Sequence, residues 1–301
     1  MTREQSSREE LSFCHVCSHI IEAPAAPSHF FLHLDLLPMA SAIPYASPSE
    51  HASANGVHER ISLYNGRKAP LRLHIIIVGC GLGGLAAAHC LAQAGHKITL
   101  FETASAIGEV GAGIQVSPNV SRLLRRWGLA DTLESIAVRP ESIVLRRYNT
   151  GERVGYTKWG ERMEEHGAPY YHIHRADFHK MLFDLAAPNM TLRLKSTVVS
   201  VDPDLPSVTL ASGEVIPGDL IIGADGVKSV IQQVVLGRVN PAQPTGDAAY
   251  RAIIPTSVML SDPDLKPFVD VPEMTGWMGP GRHLMAYNIV GSSPVIKSAI
   301  C

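Results

Sequence analysis

The sequence predicts an α/β fold in which a doubly wound parallel sheet is joined to a second, mixed sheet. Residues 73–78 (LHIIIV) form a continuous apolar run, as in a parallel strand that is covered on both faces. A glycine-rich turn and an alanine-rich segment follow, which is the order of a βαβ unit. Later segments carry the patterns of antiparallel hairpins. This mixture indicates two sheets built from discontinuous pieces of the chain.

The segment that starts with this run has the features of a dinucleotide site. Gly79 permits a tight turn, Gly81 lets the backbone approach a pyrophosphate, and Gly84 lets the following helix lie against the strand. The helix N-terminus offers unpaired N–H groups and a partial positive charge to phosphates. A second strand ends at Glu102, close to the spacing at which an acid accepts hydrogen bonds from an adenosine ribose. The alternative is a chance glycine cluster in a packed turn.

Length and composition exclude several classes of protein. With 301 residues and 46% hydrophobic content, the chain can bury a large core and form more than one folding unit. A net charge of −2 disfavours nucleic acid and anionic membranes as partners. The longest apolar stretch, 75–88, is too short to span a bilayer, and no secretory signal is convincing. The odd number of cysteines, 5, indicates reduced thiols and a cytoplasmic location.

Residues 1–69 differ in composition from the rest of the chain. They are rich in Ser, Ala, Pro and His and show no sustained period, so they are predicted to be a disordered extension. Their motif CHVCSH could suggest zinc, with Cys14, His15, Cys17 and His19 as ligands. A structural zinc site needs a second ligand pair at a defined spacing, and only scattered histidines are available. The sequence therefore predicts no metal site.

Helix and strand patterns follow the first unit in a mixed order. Residues 142–148 and 153–157, joined through Asn-Thr-Gly, predict a β-hairpin. A helix is predicted over 176–186, where apolar residues share one face, and a second strongly buried strand over 219–224. Further strands are predicted at 191–201, 249–254 and 283–290.

Four motifs, in order along the chain, resemble those of one family. They are GCGLGG with Glu102, GEVGAGIQVSPN, HRADFHKML at 174–182 and GDLIIGADGVKS at 218–229. Together they resemble the single-component FAD-dependent aromatic hydroxylases, particularly the salicylate-hydroxylase-like monooxygenases. The resemblance implies a Rossmann-like FAD-binding domain with an interleaved mixed β-sheet substrate domain. It also implies FAD as cofactor, NAD(P)H as co-substrate, and hydroxylation of a small aromatic ring with O2.

The resemblance divides the chain into two interleaved domains. Residues 70–140 and 165–235 would form the FAD-binding domain, and residues 141–164 and 236–290 part of the substrate domain. Residues 291–301 do not follow the family and are interpreted as a tail outside it.

The third signature of the family, GDAAH, has only a false counterpart in this chain. Residues 246–250 (GDAAY) look like it, but they lie 21 positions after Asp225 (246 minus 225) and continue as a strand of the second sheet. We therefore expect a chain that is truncated at its C-terminus, with an incomplete substrate sheet.

The resemblance assigns cofactor contacts to four residues besides the glycines. Glu102 would bind the FAD ribose and Gln115 would lie beside the flavin. Arg175 would reach the cofactor from a helix start, and Asp225 would contact the pyrophosphate region. The alternatives are a loop residue at Gln115, a surface charge at Arg175 and a turn former at Asp225.

Candidate catalytic residues lie near the end of the matched region. His283 and Tyr287 are four apart, on one face of a predicted strand, where related enzymes place residues that contact substrate. They could polarise or deprotonate the hydroxyl of a phenolic substrate, or they could simply pack the second sheet. Arg251 could pair with a substrate carboxylate or carbonyl, although an exposed Arg at a strand start is common.

Two other functions compete with hydroxylation. One is a non-catalytic fragment that binds FAD or another nucleotide, and the other is an NAD-dependent dehydrogenase that uses the same βαβ site. The GADG and HRADFH motifs count against the dehydrogenase, which has no use for them. The substrate, the choice between NADH and NADPH, and the oligomeric state stay open.

Overall fold

The computed structural model describes residues 63–108, 112–289 and 297–300. Most of the predicted extension, including the zinc candidates Cys14, His15, Cys17 and His19, lies outside the described residues. Within the described part of the chain, no group of His, Cys, Asp or Glu side chains could hold a metal ion. No helix in that part is long and apolar enough to cross a bilayer.

The secondary structure follows the predicted mixture of helices and strands. The strands are β1 (His74–Val78), β2 (Lys97–Phe101), β3 (Gly113–Val116), β4 (Ala137–Val138), β5 (Ser142–Arg147), β6 (Arg153–Lys158), β7 (Tyr171–His174), β8 (Thr191–Arg193), β9 (Val198–Asp202), β10 (Ser207–Leu210), β11 (Val215–Pro217), β12 (Leu220–Gly223), β13 (Ala252–Pro255), β14 (Glu273–Gly279), β15 (Arg282–Ile289) and β16 (Lys297–Ile300). The helices are α1 (Leu82–Gln93), α2 (Pro118–Arg126), α3 (Ala130–Ile136), α4 (Gly160–Glu165), α5 (Arg175–Ala186), α6 (Val230–Leu236), α7 (Thr256–Leu260) and α8 (Pro267–Asp270).

A four-stranded parallel sheet in the order β12-β1-β2-β8 contains the predicted βαβ unit. The two faces of β1 alternate, as a strand requires. Ile75 and Ile77 pack into a core shared with α1 and α5, whereas Ile76 and Val78 pack against β9, β10 and α6. β1 is therefore covered on both faces, as its continuous apolar run predicts.

The strand predicted over 219–224 is less buried than expected. It forms β12, which pairs with β1 on one side and is the edge strand of the sheet among the described residues. Leu220 is 43% exposed as a result. The prediction of a strongly buried strand was wrong because an apolar run does not distinguish a central strand from an edge strand.

The second sheet has six strands in the order β13-β16-β15-β14-β5-β6. The predicted hairpin forms as β5 and β6, and β14 pairs with β5 in parallel and with β15 antiparallel. The backbone of residues 297–300 forms β16 between β13 and β15, beyond the last strand that the sequence predicted. Residues 246–250 lie in an exposed loop, so the strand expected from 249 begins only at β13.

A small three-stranded sheet, β3-β7-β4, lies between these two parts. On one side of β7, Tyr171 and Ile173 belong to the core of the parallel sheet. His172, on the opposite side, contacts Trp159 and Tyr287 next to the six-stranded sheet. This alternation places one face of β7 towards each of the two larger sheets.

Candidate cofactor site

A cleft of about 250 Å³ opens at the carboxyl ends of β1, β2 and β12. Ligands of open parallel sheets bind at this edge. The cleft is lined by residues 78–81, 101–103 and 224–226, together with Ser196. It therefore brings together the glycine turn, the acid that ends β2 and the GADG motif.

The three glycines of the turn differ in what surrounds them. A Cβ on Gly79 would lie 2.2 Å from the carbonyl oxygen of Ala224, and its φ of 106° is a conformation that favours glycine. A Cβ on Gly84 would lie 2.0 Å from the carbonyl oxygen of Gly79, because α1 packs directly onto the turn. A Cβ on Gly81 would have no neighbour within 4 Å. Gly79 and Gly84 therefore serve the packing of the chain, whereas Gly81 leaves open space in the cleft.

The carboxylate of Glu102 holds the backbone of the turn. Its Oε2 accepts a hydrogen bond from the N–H of Cys80 at 2.9 Å, and its Oε1 accepts one from the N–H of Ala104 at 2.8 Å. A carboxylate oxygen can accept more than one hydrogen bond, so both oxygens can still bind a ribose hydroxyl. Sequence spacing predicted Glu102 as a ribose ligand, and the structure places it in the lining of the cleft.

Asp225 lies at the rim of the cleft, but its carboxylate is used within the chain. Oδ1 accepts a hydrogen bond from the hydroxyl of Ser229 at 2.5 Å. Oδ2 accepts hydrogen bonds from the N–H groups of Val230 and Ile231, at 2.7 and 3.3 Å. Asp225 therefore stabilises the start of α6, and its contact with the pyrophosphate stays a prediction.

Helix α5 connects the cleft to the rest of the site. It begins at Arg175, as the HRADFH motif predicts, and the N–H of Arg175 donates to the carbonyl of Ala112 at 2.8 Å. Four residues later, Nε2 of His179 lies 2.6 Å from the carbonyl oxygen of Cys80. Sequence reasoning missed His179, although its spacing from Arg175 places both on one side of the helix.

Gln115 lies away from the cleft, on β3 in the small sheet. The Tyr170 hydroxyl donates to Oε1 of Gln115 at 2.6 Å, and Nε2 of Gln115 lies 3.2 Å from the sulfur of Met274 on β14. The contact with Met274 crosses from the small sheet to the six-stranded sheet. The residue that the resemblance puts beside the flavin therefore faces the second sheet.

Four rings next to Gln115 form a group that we term the aromatic cluster: Trp159, Tyr170, His172 and Tyr287. The His172 ring lies 4.6 Å from that of Tyr287 and 5.8 Å from that of Tyr170. The Trp159 ring lies 4.5 Å from that of Tyr170. Such distances are typical of packed aromatic pairs.

Burial keeps the histidine of this cluster neutral. His172 is 1% exposed, and burial lowers its pKa to about 3, against a smaller opposing effect of the Asn288 backbone. Burial also raises the pKa of Tyr170. The cluster can therefore offer neutral hydrogen-bonding groups and ring faces to an aromatic ligand, but it brings no positive charge.

The three predicted catalytic residues are not brought together. Tyr287 is 5% exposed and belongs to the aromatic cluster. His283, at the other end of β15, is exposed and lies opposite Met278, and Arg251 is exposed in the segment before β13. His172 was missed because it precedes the HRADFH motif and lies on a short strand. Its register opposite Gln115 is visible only in the folded chain.

The residues around the cleft fit a dinucleotide. The open space beside Gly81 gives a phosphate room to approach the backbone, and the N-terminus of α1 faces the same turn. Glu102 lines the same cleft. FAD would thus be held at its nucleotide end by the turn and by Glu102.

Comparisons with known proteins identify relatives of this chain. The 3-amino-4-hydroxybenzoate 2-monooxygenase of Streptomyces cremeus is 39% identical over 231 residues, which cover 76% of this chain and 56% of that protein. The 6-hydroxynicotinate 3-monooxygenase of Bordetella bronchiseptica is 35% identical over 219 residues, covering 72% and 55%. This chain thus spans about half the length of the curated relatives that it matches.

Solved structures have the same fold. A tetrameric form of 2-methyl-3-hydroxypyridine-5-carboxylic acid oxygenase is 25% identical, with a TM-score of 0.61, and the match covers 77% of this chain and 59% of that one. The sequence model of the FAD binding domain family matches residues 72–278, which is more than half of the chain. The chain therefore belongs to the FAD binding domain family, and its relatives are FAD-dependent aromatic monooxygenases.

Proposed function

We propose that this protein is an FAD-dependent monooxygenase that hydroxylates a small phenolic ring with NAD(P)H and O2. The observation that carries the proposal is the cleft at the glycine turn, where Gly81 leaves open space in front of the backbone and Glu102 lies ready for a ribose. The relatives named above, which act on hydroxylated aromatic acids by their names, support the choice of substrate class.

The chain would bind the two ends of FAD with different parts. The turn at 79–84 and Glu102 would hold the pyrophosphate and the ribose, and Gln115 would lie beside the flavin. Arg175, at the start of α5, would reach the cofactor between these two places. When FAD is bound, it supplies the electron transfer and oxygen chemistry of the reaction.

The aromatic cluster would orient the substrate ring and exclude water from it. Ring faces at Trp159 and Tyr287 suit stacking against an aromatic substrate. The neutral His172 could accept a hydrogen bond from a phenolic hydroxyl, and Tyr287 could contact the same group. His283 and Arg251 stay candidates for substrate contacts, with weaker support because both are exposed.

The interleaved division of the chain also stays our proposal. Residues 70–140 and 165–235 would form the FAD-binding domain, and residues 141–164 and 236–290 would contribute the substrate sheet. We also propose a cytoplasmic location, which the free thiols of Cys80 and Cys90 support.

A specific observation favours a second function, nucleotide binding without hydroxylation. The rings of the aromatic cluster pack against one another, with His172 and Tyr287 only 1% and 5% exposed. A substrate ring would have to separate them. The nucleotide cleft, in contrast, is already open.

One series of measurements distinguishes the two functions. The purified full chain is incubated with FAD, freed of unbound cofactor, and examined by visible absorbance. NADH or NADPH oxidation is then followed with 6-hydroxynicotinate or 3-amino-4-hydroxybenzoate, and products are identified by mass spectrometry. Hydroxylated product supports the monooxygenase, and bound FAD without product supports the second function. A colourless protein would overturn the monooxygenase and leave, for the second function, only a nucleotide other than FAD.

A further inference from the structure

His179 contacts the glycine turn from a distant part of the chain. Its Nε2 lies 2.6 Å from the carbonyl oxygen of Cys80, which is the residue between Gly79 and Gly81. Since a carbonyl can only accept, the ring must carry its proton on Nε2 and donate it. His179 is 3% exposed, so this hydrogen bond is shielded from water.

Hydrogen bonds hold both the backbone N–H and the backbone carbonyl of Cys80. Its N–H donates to Glu102 at 2.9 Å, and its carbonyl accepts from His179. Glu102 directly follows β2, and His179 lies in α5. Two separate elements therefore fix the orientation of Cys80. The thiol of Cys80 takes no part, because burial, and then the charge of Glu102, raise its pKa to about 12 and keep it protonated.

This orientation matters for an anionic ligand. A carbonyl oxygen carries partial negative charge and would repel a phosphate if it turned towards the cleft. The contact with His179 directs the Cys80 carbonyl towards α5 instead. The N-terminus of α1 can then present its N–H groups to the same ligand.

We propose that His179 is a positioning residue for the pyrophosphate of FAD, which acts by holding the Cys80 carbonyl away from the cleft. The proposal rests on FAD binding in the cleft and does not require hydroxylation. It adds a residue of α5 to the nucleotide site, although α5 itself does not line the cleft.

The test compares two substitutions at this position. His179→Gln keeps an N–H donor near the place of Nε2, whereas His179→Leu removes the donor and keeps a buried side chain. Affinities of the full chain for FAD, ADP and adenosine are measured by calorimetry. His179→Leu should weaken FAD and ADP binding roughly tenfold, because the Cys80 carbonyl is then free to turn its partial negative charge towards the phosphates. Adenosine, which lacks the pyrophosphate, should bind within about twofold of wild type, and His179→Gln should restore most of the ADP affinity.

His89 offers a matched control. It is a histidine of α1 that is 6% exposed, and its ring packs against Trp127 at 5.2 Å rather than against the turn. His89→Leu should leave the affinities for FAD and ADP unchanged. Thermal unfolding without ligand separates a loss of stability from a loss of binding.

Other results would overturn the proposal. If ADP and adenosine lose affinity equally in His179→Leu, the residue supports the fold and does not position the pyrophosphate site. The same conclusion follows if His179→Gln behaves like His179→Leu, or if only the unfolding temperature falls. If the wild-type chain binds FAD but hydroxylates no substrate, the test still applies. If the wild-type chain binds no FAD, the premise of the proposal is wrong.

Discussion

The nucleotide cleft and the aromatic cluster are built in different ways. One wall of the cleft is backbone: the glycine turn and the N-terminus of α1, with open space at Gly81. The cluster is made of side chains that come from separate segments and meet between two sheets. A site made of backbone fails when a single carbon is added, whereas a site made of side chains should change gradually with each substitution.

The largest effect should come from adding a carbon to the turn itself. Gly79→Ala would place Cβ 2.2 Å from the Ala224 carbonyl at a φ of 106°. We expect the free energy of unfolding to fall by about 3 kcal/mol, because both the clash and the backbone conformation are unfavourable. Chemical denaturation of the protein without ligand measures this change.

Gly83→Ala is the matched control for this substitution. Gly83 lies in α1, and a Cβ there would have no neighbour within 4 Å. The exchange should stabilise the protein by up to about 1 kcal/mol, since alanine favours a helix over glycine. Equal destabilisation of both variants would mean that Gly79, where a Cβ meets backbone, does not differ from Gly83, where a Cβ meets open space.

A smaller effect, on binding and not on folding, is expected at Gly81. The methyl group of Gly81→Ala would enter the open space that we assign to the pyrophosphate. Stability without ligand should stay within about 0.5 kcal/mol of wild type. FAD affinity should fall by about 2 kcal/mol, the usual cost of a group that does not fit. Flavin fluorescence titration measures the FAD affinity of the variant. An unchanged affinity would mean that the pyrophosphate does not lie beside Gly81.

The same contrast explains what the sequence could predict. The turn and the packing of α1 are encoded within one continuous segment, so the roles of Gly79 and Gly84 could be predicted from spacing alone, and the ribose contact of Glu102 stays a prediction. The contact between Gly79 and Ala224 could not be predicted in this way, because Ala224 reaches Gly79 only when β12 pairs with β1.

The aromatic cluster depends on pairings that no local pattern encodes. His172 reaches its place because β7 pairs with β3, opposite Gln115, and Tyr287 because β15 pairs with β14. β14 itself was missed, since its glycines lower the strand signal. A Cβ on Gly276 would lie 2.8 Å from the sulfur of Met285, so the Met285 side chain would have to shift.

Acid should affect the aromatic cluster through His172. Its pKa is lowered to about 3 in the folded state, below the usual value of 6.5, so the unfolded chain binds the proton first. The contribution of His172 to the free energy of unfolding is therefore fully present above its pKa in the unfolded chain. This contribution is lost as the pH falls towards its pKa in the folded protein. Between pH values of about 7 and about 5.5, His172 alone should cost about 1 kcal/mol.

His172→Phe removes this titration while keeping a ring in the cluster. Denaturant unfolding at the two pH values should give a difference that is smaller than in wild type by about 1 kcal/mol, whatever the absolute stability of the variant. An unchanged difference would mean that His172 is protonated or exposed in solution, and that the cluster is looser than the structure indicates.

The smallest effect is expected at an exposed candidate outside the cleft lining and the aromatic cluster. His283 is exposed at the far end of β15 from Tyr287, so His283→Ala should change the free energy of unfolding by no more than about 0.5 kcal/mol. FAD affinity should also be unchanged, because His283 lies outside the cleft lining. Product formation is then the informative measurement, with Tyr287→Phe as the comparison. If His283→Ala loses hydroxylation while Tyr287→Phe keeps it, the ring-binding site lies at the exposed end of β15. The opposite result would place that site at the aromatic cluster, where side chains from both sheets meet.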